Sequence, residues 1–226
     1  MSVKETVKRY VFFAVGLFIN AFGISFITKA GLGTSPISSV PYVLSLRFPL
    51  SLGGFTFIFN MLLLLAQYLM LRKRFQIVQL LQIPIIAVFS AFIDLTMMIL
   101  ADFSPDSYPM KLLSLIIGCA ILGLGVAMEF FADVVMLSGE ATVKAISIVT
   151  GKNFGTLKIC FDMSMVLCAV ILSFIFFGGF NGVREGTILS SVLVGSFSKL
   201  YIKKFGGITA IFGDKTKKTL DKSEKV

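Results

Sequence analysis

GLGTSPISSVPYVLS, residues 31–45, is too short to cross a membrane yet strongly apolar, and a degraded copy of it recurs later in the chain. Residues 32–45 align with residues 137–150 at an offset of 105. After a three-residue gap, Phe59-Asn60-Met61 falls on Phe161-Asp162-Met163 at an offset of 102. Each copy follows one apolar run and leads into another, so the pattern points to an internal duplication of three spans.

The composition agrees with that reading. The 226 residues are 56% hydrophobic and only 15% charged, more apolar than a soluble core requires. Six spans of about 20 residues are expected, at 10–28, 54–71, 77–100, 110–132, 154–177 and 187–205. The chain then divides into an N-terminus (1–9), a first three-span repeat (10–100), a second (110–205) and a basic tail (206–226). The expected fold is all-α and integral to the membrane, with each repeat carrying a short half-helix after its first span.

Basic residues next to spans tend to stay in the cytoplasm. One set of loops holds Lys4, Lys8, Arg9, Arg72, Lys73, Arg74, Lys144, Lys152 and the lysines from Lys203 onward, against Lys29, Arg47, Lys111 and Arg184 on the other. Both termini are therefore expected in the cytoplasm, with the chain in a bacterial inner membrane. The net charge of +9 follows from these fringes and suits anionic lipid at the cytoplasmic face, so nucleic acid is not needed to explain it. The first span follows a basic stretch, as a secretory signal would, but it is long and lacks a small-x-small cleavage site, so it reads as retained. Cys119, Cys160 and Cys168 all fall inside spans and read as small packing residues. With no histidine and no cysteine pair at ligand spacing, neither metal nor cofactor is expected.

Residues 34–47 read as a half-helix, with Pro36 at its first position and Ser35 as its cap. The counterpart, 138–150, starts with Ser138 as cap and carries Glu140 in its first turn, where a carboxylate complements the positive helix end. An odd number of spans per repeat makes the two copies insert in opposite directions. In such carriers broken helices meet near the midplane and bind a solute there. The competing reading lays both segments flat on the two membrane surfaces.

A charge in hydrocarbon is costly and usually faces the bundle interior. At about 1.5 Å per residue, Asp162 sits roughly 12 Å into the fifth span, too deep to reach water on its own. It needs a partner or a cavity. Lys158, one turn earlier on the same face, can supply the partner, either as a structural ion pair or as part of a solute or proton site. Asn60, the repeat counterpart of Asp162, either bonds a neighbouring helix or faces the same site. Asp94, Glu129, Asp133 and Lys199 carry less weight; Asp94 and Lys199 stand 105 residues apart with opposite charge, and the other three lie near cytoplasmic span ends.

Ser114, Gly118, Gly123 and Ala127 supply small-xxx-small spacings, read as packing within the monomer in preference to a homo-oligomer face. The turn GGFNGVREGT, residues 178–187, offers Arg184 to an anion or to water, Glu185 beside it, and Thr187 as a cap.

Taken in order, GLGTSP at 31–36, SGEA at 138–141, KICFD at 158–162 and GVREGT at 182–187 followed by Gly195 resemble the YitT/YczE-type family of bacterial multi-span membrane proteins. Where similar sequences carry Pro before the Gly-Glu pair, this chain has Ser138. The resemblance implies an architecture and no substrate. The expected function is small-solute transport through a central polar site of Glu140, Lys158, Asp162, Asn60 and Ser35, with Arg184, Glu185 and Thr187 as further candidates and proton coupling through Asp162 as a variant. The alternative is a non-transporting ligand-binding or accessory subunit. An enzyme is not expected, because no nucleophile with its base and no nucleotide-binding loop is present.

Overall fold

A computed structural model describes residues 3–205 of the chain, so the basic tail at 206–226 lies outside the described residues. Every regular element among them is helical: α1 (Val3–Lys29), α2 (Pro36–Arg47), α3 (Leu52–Leu71), α4 (Gln82–Ile99), α5 (Tyr108–Ala132), α6 (Ser138–Thr150), α7 (Phe154–Phe177) and α8 (Glu185–Phe205). Short 3-10 turns at Arg72–Arg74 and Ile77–Leu81 join α3 to α4.

Five of these stretches are long and apolar enough to cross a membrane: Glu5–Lys29, Leu52–Leu71, Ile77–Ile99, Tyr108–Ala132 and Phe154–Phe177. The protein is a multi-pass membrane protein. Helix α8 is 21 residues long but less apolar, because Ser190, Ser191, Ser196, Ser198 and Lys199 interrupt it. The expectation of six spans read from hydropathy alone therefore stands at five plus this more polar helix.

Local chemistry explains where the helices begin and end. Asn153 starts α7 by accepting the N–H groups of Gly155 at 2.8 Å and Thr156 at 3.4 Å. Ser51 does the same for α3 by accepting from Gly54 at 3.0 Å. The Asp94 carboxylate supports that start, accepting from the Gly53 N–H at 2.8 Å and the Ser51 hydroxyl at 2.7 Å. Asp94 is thus a capping group for the neighbouring helix. Left-handed glycines end α6 (Gly151, φ 69°) and α7 (Gly178, φ 69°).

The half-helices form where expected, with Ser35 at the N-cap position of α2 but Leu137 in place of Ser138 at that of α6. Helix α2 begins at Pro36, after Ser35 in extended conformation, and the Ser35 side chain makes no cap bond; its hydroxyl donates to Ser38 Oγ at 2.9 Å. In α6 the cap position is Leu137, while Ser138 is already helical and donates to Gln82 Oε1 at 3.1 Å. A tertiary partner takes the Ser138 hydroxyl, whereas the Ser35 hydroxyl bonds within its own first turn.

Helices α1 and α5 pack antiparallel at the centre, and glycine makes the approach close enough. A Cβ at Gly23 would sit 2.6 Å from the Leu122 nitrogen, and one at Gly125 would sit 2.5 Å from the Asn20 nitrogen. Gly118 meets Ile27 of α1, and Gly123 meets Phe197 of α8. Within membranes such small-residue contacts replace the hydrophobic drive that lipid removes. Helix α4 leans on α1 and α8 on α5, while α2 packs on α7 and α3, and α6 packs on α3 and α7. Cys119 is buried in the α1–α5 core, whereas Cys160 and Cys168 are exposed and pack no interior. The outward faces carry Leu62, Leu65, Leu69, Leu167, Ile171 and Ile175, which suits contact with hydrocarbon.

Burial sets the correspondence between the half-helices. Pro36, Ser39, Val40, Pro41 and Val43 are buried in α2, and Ser138, Ala141, Thr142, Val143 and Ala145, each 102 residues later, are buried in α6. This spacing in burial differs by three residues from the 105 read from local similarity, and buried Ser38 and Gly139 have no buried counterpart at it.

Candidate functional site

A cavity of about 550 Å³ lies where the first turns of α2 and α6 come together. Ser35, Ile37 and Ser38 enter from one side, Leu137, Gly139 and Glu140 from the other, and the Ile37 side chain lies over Gly139. At 12 residues, α2 is about 18 Å long, well short of a hydrocarbon core of about 30 Å. Both half-helices therefore present N-terminal, electropositive ends to one space.

The walls come from α3, α7 and α8. Asn60 and Thr56 face the cavity from α3, Lys158 and Asp162 from α7, and Ser190, Ser191, Ser198 and Lys199 from α8. This accounts for much of the polarity of α8: of the residues that interrupt it, all but the exposed Ser196 line the cavity. Lys158 Nζ donates to Asp162 Oδ1 at 2.8 Å, with side-chain exposures of 31% and 19%. Each charge placed bare at the bilayer centre would cost about 2.5–3.5 kcal/mol, so the pairing and the wet cavity both matter. Asp162 has the partner and the cavity that its depth demands.

The Asn60 amide, 7% exposed, donates to the Thr56 carbonyl at 2.8 Å. A carbonyl only accepts, so this bond turns the Asn60 oxygen away from its own helix, and that oxygen has no partner among the described residues. Glu140 likewise makes no hydrogen bond or ion pair among them, although it feels the charges of both Lys158 and Asp162.

A second space of about 560 Å³ adjoins the first and shares Val126, Leu137, Glu140 and Phe154 with it. Arg74, Lys144, Asp133 and Glu129 line it, so it leads from the Lys144 face of the protein to Glu140. Asn20 stands at the junction and donates to Glu129 Oε1 at 2.8 Å.

On the opposite face the 31–35 loop is hydrogen-bonded to the start of α8. The Gly186 N–H donates to the Leu32 carbonyl at 2.9 Å, and the Thr34 N–H donates to Thr187 Oγ1 at 3.2 Å. Ser190 Oγ donates to the Thr34 carbonyl at 3.1 Å, and Arg184 reaches the Gly31 carbonyl at 3.4 Å. Gly33 makes this seam possible: its φ of 117° is left-handed, and a Cβ there would strike Thr187 Oγ1.

Of the residues expected at the site, Ser35, Asn60, Glu140, Lys158 and Asp162 line the one cavity. Arg184, Glu185 and Thr187 belong to the seam instead; Arg184 pairs with Glu185 at 3.3 Å on the surface, and Thr187 is buried within α8, two residues past its start. Asn20, Ser38, Thr56 and the α8 serines were not anticipated, because a neutral polar residue in an apolar run carries no sequence signal separating cavity from packing. Lys199, weighed lightly as a solvated end, faces the cavity.

Residues 7–203 match DUF6198, a family of unknown function. The chain belongs to this family. It is similar to two proteins of Bacillus subtilis (strain 168). One is the uncharacterized protein YyaS, 24% identical over 201 residues that cover 86% of this chain and 92% of the relative. The other is the uncharacterized membrane protein YczE, 26% identical over 193 residues, covering 85% and 84%. These relatives bear out the YczE-type resemblance read from the motifs. No solved structure matches the chain.

Proposed function

We infer that this DUF6198 chain is a carrier of small solutes, built from six spans in two inverted three-span repeats. The observation that carries the reading is the polar cavity held between the N-terminal ends of α2 and α6, with a paired charge in its wall. Burying such a group of polar side chains between apolar helices is costly unless a polar ligand uses them.

A single spacing of 102 residues supports the repeat. Gly16 and Gly118, Gly23 and Gly125, Ser51 and Asn153, Gly53 and Gly155, and Asn60 and Asp162 stand that far apart. The partners correspond too: Gly23 packs on Leu122 while Gly125 packs on Asn20, again 102 apart. Exchanging the halves turns the α1–α4 packing into α5–α8, and α2–α7 into α6–α3. Three spans per unit then give opposite insertion, with α8 as the sixth span.

The vestibule on the Lys144 face and the seam on the other suit one state of an alternating-access cycle, open to one side only. Purified protein in vesicles tests the reading with Asp162→Asn and Asp162→Ala. Carriage through this site predicts loss of flux in both, while full flux in both removes Asp162 from the mechanism. Stable binding of a solute with no flux in the parent protein would favour the ligand-binding or accessory role instead.

A further inference from the structure

The two half-helices bring different chemistry to the same cavity. At the 102-residue spacing Glu140 of α6 stands where α2 has Ser38, and both face the space. The positive end of α6 is thus already matched by a carboxylate in its first turn, whereas that of α2 meets only the neutral hydroxyls of Ser35 and Ser38. One end presents a negative group and the other an open positive pole.

The charges in the wall balance. Lys158 and Asp162 neutralise one another at 2.8 Å, which leaves Glu140 and Lys199, one of each sign and neither with a partner among the described residues. A solute of net charge would leave this space unbalanced in a membrane interior, where that is expensive. One carrying both signs would not. The Asn60 oxygen adds an unused acceptor, and about 550 Å³ is within the usual range of small-molecule sites.

We propose that the cavity binds a small zwitterion of the amino-acid class, its ammonium on Glu140 and its carboxylate on Lys199, with the open end of α2 adding positive potential to the same space. This rests on the reading of the cavity as the solute site. Glu140 is the cation-binding residue, and the Lys158–Asp162 pair is a neutral element of the wall.

The test is calorimetric binding to the full-length protein in nanodiscs, using the twenty proteinogenic L-amino acids. The best binder is then compared with its decarboxylated amine and its deaminated acid. Saturable binding of at least one amino acid is expected, with both single-charge analogues weaker by about tenfold or more. Glu140→Gln is expected to weaken the amino acid by a similar factor. Lys199→Gln, at an exposed position that leaves folding intact, lowers affinity several-fold and does so least for the amine. Equal binding of the amine or the acid alone, no binding by any of the twenty, or unchanged affinity in both variants would overturn the proposal. Flux of the same amino acid separates the two readings: binding without flux sinks the carrier and leaves the zwitterion site. Flux of a solely cationic or anionic solute with no amino-acid binding does the reverse.

Discussion

Asp162 and Lys158 illustrate how a charge survives in an apolar helix. Their 2.8 Å bond is partly exposed to the cavity, so water shares the task of solvation. A half-wet pair of this kind is worth about 1 kcal/mol or less. Asp162→Asn leaves the Lys158 charge to the polar cavity alone, so it is expected to fold with a modestly lowered thermal midpoint in detergent, even where flux is lost. A large drop in the midpoint would instead make the pair structural. Two glycines offer the sharper test of backbone constraint. Gly33 and Gly178 both have positive φ, yet a Cβ at Gly33 meets Thr187 whereas one at Gly178 meets nothing within 4 Å. Gly178→Ala is expected to cost about 1 kcal/mol from conformation alone. Gly33→Ala adds the clash and is expected to cost about 2 kcal/mol or more, opening the seam between the 31–35 loop and α8. Equal midpoints for the two variants would contradict this.

At the level of the element, the half-helices are the feature most legible in the sequence. Short apolar stretches with Pro36 and Glu140 in their first turns could be placed because length and charge mark them. Their register could not. Local likeness between serine-rich segments favours an offset of 105, whereas the proposed spacing of 102 rests on isolated glycines such as Gly23 and Gly125, whose partners emerge only in three dimensions. Of the two expected caps, Ser35 holds the N-cap position of α2 with its hydroxyl on Ser38 one turn on, while Ser138 lies inside α6 with its hydroxyl on the distant Gln82. The charged cavity residues stood out against an apolar background, while Asn20, Thr56 and Ser190 did not. The meeting of the two first turns gives a direct prediction. With native cysteines removed, Ile37→Cys with Gly139→Cys is expected to form a disulfide under mild oxidation, visible as a mobility shift reversed by reductant. Ser45→Cys with Gly139→Cys, two helical turns further along α2, is expected not to. Two half-helices lying on opposite membrane surfaces would give no bridge in either pair.

For the whole molecule, the arrangement is a closed seam on one face, a polar cavity in the middle and a vestibule on the face that carries Lys144. The apolar exteriors of α3 and α7 face outward, while Ser190, Ser191, Ser198 and Lys199 of the more polar α8 line the cavity. Glycine contacts between α1 and α5 hold the centre, so the moving parts of a cycle would be the seam and the half-helix ends. The most direct measurement is the reactivity of Ser38→Cys, in a background free of native cysteine, toward a membrane-impermeant maleimide applied to one face at a time. Labelling from the Lys144 face and protection from the other are expected, with Arg47→Cys, at the far end of α2, showing the opposite preference. Labelling of Ser38→Cys only from the face that labels Arg47→Cys would place α2 on the membrane surface and contradict a central cavity between two half-helices.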